Sequence, residues 1–514
     1  MMGQAGVKFR IDHHVIWSFL SGLLLFFSFP KFGVGFMAWV ALAPLFYALK
    51  DANPAKGFSL GFITGIISHI GILYWITYVV VYYGNLPYYA GITVMLLLAT
   101  YLSLYTAVFA SGVIFFREHG IPAVFSSPFL WTSLEYAKSH LFTGFPWENL
   151  AYSQYLYTHI VQIADITGIY GVTFLIVMVN AIVSDIIMMK GETKKIARRI
   201  MVGGVIMTLI CVYGFWKIHY TTKYLKGADV IEVSVIQGNI DQSVKWDPHY
   251  QSETINIYRN LSMTKAISGS ELIVWPETAT PFFFQDGNDL HRRVVDVARD
   301  GGNWLLFGSP SYLKNKNGVS LLNSAFILSP DGDVRGKYDK VHLVPYGEYI
   351  PLKQWFPFIR KLVTGVGDFI SGKGYYPLEM NHHKIGVLIC YEGIFPEAAR
   401  SYKKAGADLL VNITNDAWFG MTSAPHQHLS MTTLRAVETR LSIVRAANTG
   451  VSAFIDPTGK ITNRTNLFEE AVLKESVKIS NDKTFYMLYG DIFVYICTLS
   501  VFICILISIR RKKK

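Results

Sequence analysis

The chain alternates long apolar segments with short polar loops up to about residue 220, and then changes character. Apolar runs lie at about residues 15–29, 35–49, 58–82, 88–116, 122–137, 166–189, 201–220 and 485–509. Most of these runs reach the roughly 20 residues that a helix needs to cross the hydrocarbon core of a bilayer. The pattern predicts about eight transmembrane helices. The fifth run is the weakest, because it is short and contains Glu135.

Between the seventh and eighth runs, short apolar strands alternate with helical patterns. The predicted strands are 231–237, 272–275, 304–308, 324–328, 385–389, 409–413 and 451–455. The predicted helices are 249–268, 288–300, 394–405 and 426–446. This alternation is typical of a layered α/β domain. We therefore expect a seven-helix membrane region (1–225), an α/β domain (226–480) and a last membrane helix with a basic tail (481–514).

Composition supports a membrane protein. Of the 514 residues, 51% are hydrophobic and only 16% are charged, whereas soluble domains have about 25% charged residues. The formal net charge is +11, and much of it lies in short loops beside apolar segments. That placement follows membrane topology, so we predict no binding to nucleic acid.

The basic loops also predict the orientation of the helices. Basic residues flank the apolar runs at Lys8, Arg10, Lys50, Lys56, Arg117, Lys194, Lys195, Arg198, Arg199 and the tail Arg510 to Lys514. With eight spans all of them fall on one side of the membrane, which the positive-inside rule assigns to the cytoplasm. Both termini are then cytoplasmic, and the α/β domain lies on the opposite side.

One cysteine stands apart from the others. Cys390 lies in the α/β domain, while the other three cysteines lie in apolar segments, so no disulfide framework can form within the domain. It ends the predicted strand 385–389, and Gly393 follows three residues later. A thiol at the end of a strand is well placed to act as a nucleophile. For a lone cysteine, a buried structural role is the main alternative.

Two further stretches favour the nucleophile. Glu277 follows a predicted strand in Trp275-Pro276-Glu277, and Lys340 precedes Glu348 by eight residues. Acyl transfer through a cysteine needs a proton acceptor and a donor for the oxyanion. We expect Glu277 to be the general base and acid, in an apolar site that raises its pKa. Lys340 would place a positive charge beside the oxyanion.

Glu277, Lys340 and Cys390, in that order, resemble the catalytic triad of the nitrilase superfamily over about residues 230–480. The resemblance implies an α-β-β-α sandwich. Together with the membrane segments it narrows to the apolipoprotein N-acyltransferase family. Tyr391 and Glu392 match the family's Cys-Tyr-Glu, and the N–H of Tyr391 is a candidate oxyanion donor by analogy with other nucleophile turns.

Other family-like blocks occur in the same order along the chain. Glu348 matches a second family glutamate, which could bind Lys340 or orient the cysteine. Supporting or substrate-binding roles are further implied for Trp246 after the 235–240 strand, Asn323, and Trp418 within Asn415–Gly420. In the membrane region, Gly144-Phe145-Pro146-Trp147 resembles a family loop.

The resemblance also implies the reaction and its place in the cell. The sn-1 acyl chain of phosphatidylethanolamine would pass to Cys390, and then to the α-amine of the N-terminal diacylglyceryl-cysteine of a lipoprotein. The enzyme would lie in the bacterial inner membrane with its catalytic domain in the periplasm. The expected partners are the phospholipid, the diacylated apolipoprotein and the bilayer, and we expect a monomer.

No cofactor or metal is predicted. His426 and His428 are spaced i, i+2 and do not face one side of a helix, and no Gly-rich phosphate loop is visible. Two other functions stay open. One is a membrane-tethered amidase that uses the same triad with water as acceptor. The other is a receptor or transporter with a nitrilase-like binding domain, against which the scarcity of charges inside the spans weighs.

Overall fold

The computed structural model describes residues 12–189, 192–315, 318–350 and 369–512. Four basic residues used to predict the orientation lie outside the described residues, namely Lys8, Arg10, Lys513 and Lys514. Within the α/β domain, residues 351–368 also lie outside them.

The first part of the chain is helical. Its helices are α1 (His13–Ser28), α2 (Ala38–Ala41), α3 (Ala43–Ala48), α4 (Pro54–Leu73), α5 (Trp75–Tyr82), α6 (Tyr88–Glu118), α7 (Ala123–His140), α8 (Thr158–Val161), α9 (Ala164–Thr167), α10 (Ile169–Met188) and α11 (Thr193–Tyr224). Helices α4 and α6 pack along each other, with α1 against α4 and α7 against α10. These helices form one bundle.

Two predicted runs are interrupted. The run at 35–49 breaks at Leu42, where Asn180 of α10 accepts hydrogen bonds from the N–H groups of Leu42 (2.7 Å) and Ala43 (3.1 Å). The run at 58–82 breaks at Tyr74, whose hydroxyl accepts a hydrogen bond from the N–H of Ser423 at 3.0 Å. A polar partner from elsewhere in the fold therefore meets the chain at each break, which a local apolar pattern cannot show.

The α/β domain contains twelve strands among its described residues. They are β1 (Val230–Gln237), β2 (Leu272–Val274), β3 (Trp304–Asn315), β4 (Gly318–Leu328), β5 (Val334–Asp339), β6 (Leu378–Met380), β7 (His383–Ile389), β8 (Leu409–Thr414), β9 (Ser442–Ala447), β10 (Ala453–Ile455), β11 (Ile461–Arg464) and β12 (Ala471–Lys478). They form two six-stranded sheets, ordered β12-β1-β2-β3-β4-β5 and β11-β10-β9-β8-β7-β6.

The two sheets lie between two helical layers. In each sheet three neighbouring strands are parallel, β1-β2-β3 and β7-β8-β9, and such strands are normally covered on both faces. Helices α12 (Pro248–Ser262) and α13 (Asp289–Gly301) pack on the first sheet, and α14 (Pro396–Lys404) and α15 (Ala424–Thr439) on the second. Since β1 contacts β9 between the sheets, the α-β-β-α sandwich is confirmed.

The helix predicted at 426–446 is wrong in its last part. Helix α15 ends at Thr439, and Arg440 adopts a left-handed conformation with φ of 56°. The β-branched pair Ile443 and Val444 then lies in β9, fully buried between β8 and β10. Pairing with two neighbouring strands decides the structure here, and the local sequence does not reveal it.

The chain returns to the membrane through α16 (Phe485–Tyr489) and α17 (Ile492–Lys512). Five described helices are long and apolar enough to cross a membrane, namely α4, α6, α10, α11 and α17. Helix α1 and the segment Gly35–Ala48 are shorter apolar helices, and α7 carries Pro128, Glu135 and Lys138. The protein is a membrane protein, while the number of eight spans stays a prediction.

Candidate active site

Cys390 follows directly after β7, whose last five residues are all buried. It has a φ of 53° and is only 9% exposed. A left-handed conformation at a residue with a side chain costs about 1–3 kcal/mol, and it persists only where the surroundings enforce it. The thiol therefore lies at a strained turn at the end of a buried strand.

The buried side chain of Glu392 stabilises the backbone turn at Cys390. Its Oε2 accepts a hydrogen bond from the N–H of Ile389 at 2.8 Å, and its Oε1 accepts from the N–H groups of Val341 (2.7 Å) and His342 (3.0 Å) and from the hydroxyl of Tyr338 (2.8 Å). One buried carboxylate thus connects the turn at the cysteine to the segment that follows β5. That segment carries the lysine of the site.

Glu277 lies three residues beyond β2. Its Oε1 accepts a hydrogen bond from the amide of Asn323 at 2.8 Å, and its Oε2 accepts from the N–H of Asn415 at 2.8 Å. The expected apolar surroundings are therefore wrong: Trp275 packs in the core on the other side, and the carboxylate lies among polar groups. A side chain at Gly308 would collide with the backbone of Glu277, at 2.6 Å from its Cα, so a glycine is required there.

Lys340 lies between two carboxylates. Its Nζ is 2.9 Å from Glu348 Oε1 and 3.7 Å from Glu277 Oε1, and the residue is only 1% exposed. Burial alone would lower the pKa of Lys340, but the charges of Glu348 and Glu277 outweigh burial and raise it above its ordinary value. Lys340 is therefore a fixed positive charge.

Asn323 links the two carboxylates. Its Nδ2 donates to Glu277 Oε1 at 2.8 Å and to Glu348 Oε1 at 2.9 Å. Its carbonyl oxygen Oδ1 is buried without a partner in the described structure, while its backbone carbonyl accepts from the N–H of Lys340 at 2.9 Å. Asn323 thereby sets the spacing of the charged groups.

Burial raises the pKa of the Cys390 thiol well above its ordinary value near 9, and the charge of Glu277 adds to this effect. Lys340 opposes it only in part. The resting side chain is therefore a thiol rather than a thiolate at neutral pH. It becomes nucleophilic when a neighbouring base removes its proton, and Glu277 is the neighbouring carboxylate with lone pairs to accept it.

A cavity of ≈ 730 Å³ opens from these groups. The sequence analysis assigns catalytic, supporting or substrate-binding roles to nine residues. Eight of them line the cavity, namely Trp246, Glu277, Asn323, Lys340, Glu348, Cys390, Tyr391 and Trp418. The ninth, Glu392, lies behind the turn. The cavity continues between α5, α6 and the loop at 141–147, where Leu97 and Phe142 are 66% and 88% exposed. Its far wall thus reaches the outer surface of the helices.

Sequence reasoning missed some residues around the site. Lys245, next to Trp246, is fully buried and its Nζ donates to the backbone carbonyl of Glu277 at 3.3 Å. Burial lowers the pKa of Lys245 to about 7. Asp416 and Arg445 form a fully buried ion pair at 2.8 Å near Cys390. Asn415 and Asp416 stood in a recognised block, but only the fold shows what they contact.

Comparison with known proteins covers both parts of the chain. Residues 21–182 match the family model described as apolipoprotein N-acyltransferase N-terminal domain. Residues 232–481 match the model described as carbon-nitrogen hydrolase. A solved amidase from Nesterenkonia sp. is 18% identical, with a TM-score of 0.38, over 52% of this chain and 96% of its own.

Relatives of full length are also known. The chain is 46% identical to an apolipoprotein N-acyltransferase of Geobacter metallireducens, over 96% of this chain and 95% of the relative. It is 32% identical to the apolipoprotein N-acyltransferase of Methylococcus capsulatus, over 91% of both chains. Identity at this level over nearly the whole length includes the membrane helices as well as the sandwich. The chain therefore belongs to the apolipoprotein N-acyltransferase family.

Proposed function

We propose that this protein transfers an acyl chain from a phospholipid to the N-terminal amine of a diacylated lipoprotein, through a thioester on Cys390. One observation carries the proposal: the cavity that contains Glu277, Lys340 and Cys390 continues along apolar walls to the outer surface of the helices. An acyl chain exposed to water costs roughly 0.8 kcal/mol per CH₂. A site with such walls suits substrates that arrive from the bilayer.

In the first half-reaction Glu277 takes the proton of Cys390, and the sulfur attacks the ester carbonyl of the donor. Lys340 Nζ and the N–H of Tyr391 stabilise the tetrahedral oxyanion. The C–O bond then breaks, Glu277 returns the proton to the departing oxygen, and a lysophospholipid leaves. Cys390 retains the acyl chain as a thioester. We assign the donor as the sn-1 chain of phosphatidylethanolamine from the family resemblance.

In the second half-reaction the neutral α-amine of the acceptor attacks the thioester. Glu277 accepts the amine proton and delivers it to the sulfur as the C–S bond breaks. The products are the amide and the free thiol of Cys390. A thioester suits this step, because it reacts with a neutral amine more readily than an oxygen ester does. The two substrates thus react in turn at one thiol.

An amidase with the same triad is the second candidate. It would use water in place of the amine and release a free fatty acid. The partly buried aromatic rings of Trp418 and Phe419 and the apolar helix residues in the cavity wall favour transfer, because they limit access of water to the thioester.

The test is the intact mass of the purified protein after incubation with phosphatidylethanolamine. We expect a gain of one acyl chain, which Cys390→Ala abolishes and a diacylated lipopeptide removes. Cys211→Ala is the matched control, because that cysteine lies in α11 and outside the cavity lining. Release as free acid without lipopeptide would favour the amidase. A wild-type rate of transfer by Cys390→Ala would refute the thioester.

The proposal includes the arrangement of the chain in the inner membrane. A membrane region (1–225) and a last helix with its basic tail (481–514) would flank the catalytic domain (226–480), with both termini in the cytoplasm and the protein a monomer. Val319→Cys, at a position 61% exposed in the sandwich, should react with an impermeant maleimide from the periplasmic side. Lys194→Cys should react only after the membrane is permeabilised; the reverse pattern would contradict this orientation.

A further inference from the structure

The carbonyl of Cys390 is held by two side chains that the proposed mechanism does not use. His428 Nε2 lies 3.1 Å from this oxygen, and Asn412 Nδ2 donates to it at 3.4 Å. The φ of 53° at Cys390 needs such support, because a left-handed residue with a side chain reverts unless its surroundings enforce the conformation. Glu392 accepts a hydrogen bond from the N–H of Ile389, just before the cysteine. His428 and Asn412 contact the backbone carbonyl of Cys390 itself.

Arg445 connects both of these donors. It donates to the side-chain carbonyl of Asn412 and to Asp416 Oδ2, the latter at 2.8 Å. Asp416 Oδ1 lies 3.0 Å from His428 Nδ1, and Arg445 Nη2 lies 3.1 Å from the same nitrogen. All of these side chains are at most 1% exposed. The ring of His428 is therefore fixed on both of its nitrogens.

Burial and the charge of Arg445 lower the pKa of His428 below its ordinary value. A ring with a proton on Nε2 donates to the carbonyl of Cys390 in its neutral form as well as in its charged form, while Nδ1 lies against both Asp416 and Arg445. The contact with the nucleophile turn thus needs no charge on the imidazole. It depends on where α15 holds the ring.

The residue before His428 binds the membrane helices. Gln427 Oε1 accepts a hydrogen bond from Trp147 Nε1 at 2.8 Å. Its Nε2 donates to the backbone carbonyls of Pro30 (3.1 Å) and Ile72 (3.2 Å). These two carbonyls lie just after α1 and in the last turn of α4, where helix ends leave acceptors unpaired.

We propose that Gln427 and His428 form a positioning pair, which ties the backbone of the nucleophile Cys390 to the membrane helices through α15. This inference rests on the proposed thioester mechanism. Two consecutive residues of one helix contact the two sides, so a shift of α15 on the membrane helices moves the group that holds the cysteine carbonyl. The reactive geometry at Cys390 is then set by how the sandwich is seated on the helices.

The test compares two isosteric changes at His428. His428→Gln places an amide N–H near the position of Nε2 and keeps a donor for the carbonyl of Cys390. His428→Asn places its amide near Nδ1 and loses that donor. A misplacement of the reacting group by about 1 Å can cost about 100-fold in rate. We expect that loss in kcat for His428→Asn with KM unchanged, and a loss of no more than about tenfold for His428→Gln.

His426→Asn is the matched control, because His426 is half-buried on the same helix, does not line the cavity and should leave kcat unchanged. Gln427→Met removes the bonds to Trp147, Pro30 and Ile72 without changing the cysteine turn. We expect it to lower kcat about tenfold or more, again with KM unchanged. Melting temperatures in detergent show whether each variant is folded at the assay temperature.

Equal kcat values for His428→Gln and His428→Asn would overturn the role of His428. A wild-type kcat for Gln427→Met would overturn the link to the membrane helices. Failure of the wild-type protein to acquire an acyl chain on Cys390 would refute the proposed function itself, and the positioning pair with it. An acyl adduct on the wild-type protein, together with equal losses in both His428 variants, would refute the pair alone.

Discussion

Lys340 donates to Glu348 at 2.9 Å, which is closer than its 3.7 Å distance to Glu277. Glu348 is thus the direct counter-ion of the lysine. Glu277 is left with hydrogen bonds from two neutral amide groups, and each of its oxygens keeps a lone pair for a proton. The two glutamates therefore have different roles. Glu348 holds Lys340 in place, and Glu277 is available as a base.

Replacement of Lys340 should lower both the rate of acyl-enzyme formation and the free energy of unfolding, and a second substitution should restore only the latter. We expect Lys340→Met to lower the rate of acyl-enzyme formation by roughly 100- to 1000-fold, as loss of an oxyanion donor does. It should also lower the free energy of unfolding by about 3–5 kcal/mol, because the buried carboxylate of Glu277 and the partly buried carboxylate of Glu348 lose their cation. In Lys340→Met/Glu348→Gln the melting temperature should recover in part while the rate stays low. Recovery of the rate in the double variant would contradict an oxyanion role for Lys340.

Glu277→Gln should lower the pKa of the Cys390 thiol while it abolishes acyl transfer. The charge of Glu277 raises the pKa of the Cys390 thiol, and Lys340 lowers it. Without the carboxylate the effect of Glu277 is lost and the pKa of the thiol falls, although burial and Asp416 still raise it. The measurement is the pH dependence of the iodoacetamide reaction rate, whose rise marks ionisation of the thiol. A rise at the same pH or at a higher pH in the variant would show that Glu277 does not oppose ionisation of the thiol.

A bulky residue in the cavity wall should shorten the acyl chain that the enzyme accepts. Leu98 of α6 lines the cavity together with Leu97, which is exposed on the outer surface of the helices. Leu98→Trp should lower transfer from long-chain donors more than from short-chain donors, since each CH₂ that loses its place costs about 0.8 kcal/mol. Lysophospholipid release from donors of graded chain length measures this. A uniform loss at every length would mean that the chain does not reach Leu98.

The ionised carboxylate of Asp416 should stabilise the folded protein at pH values above the ordinary pKa of an aspartate. This stabilisation should be lost in acid. Burial opposes ionisation of Asp416, but Arg445 and His428 outweigh it and hold its pKa well below its usual value near 3.8. A carboxyl with a lowered pKa in the folded state contributes stability that declines as the pH falls below the unfolded value. The difference in melting temperature between wild type and Asp416→Asn should therefore be larger at about pH 6 than at about pH 3. A difference that does not change with pH would contradict the ion pair.

The sequence predicted the site residues that follow strands recognisable as short apolar runs. Glu277 and Cys390 each follow a short apolar run, and runs of that kind identify buried strands regardless of what packs on them. The family resemblance added Lys340, which no periodicity could have singled out. The roles of all three in catalysis stay predictions until the variants are measured.

What the sequence could not predict depends on contacts between distant segments. The side chains around the carbonyl of Cys390 come from β8, β9 and α15, and their pairing is visible only once the sheet is assembled. The strand β9 was predicted as helix, because α15 precedes it without a glycine or proline to mark the boundary. The break at Leu42 has the same origin, since the side chain of Asn180 in α10 binds the backbone there.

The first and last strands of the sandwich are neighbours, and Val230 lies opposite Lys478 in their antiparallel pairing. The chain thus enters and leaves the catalytic domain at almost the same point. Domains whose ends lie close together are the ones that tolerate insertion into another protein. The sandwich is arranged as a cassette between two membrane helices. Exchange of the cassette between relatives would need two adjacent junctions, and the hydrogen bonds of Gln427 to the membrane helices would then decide which combinations fit together.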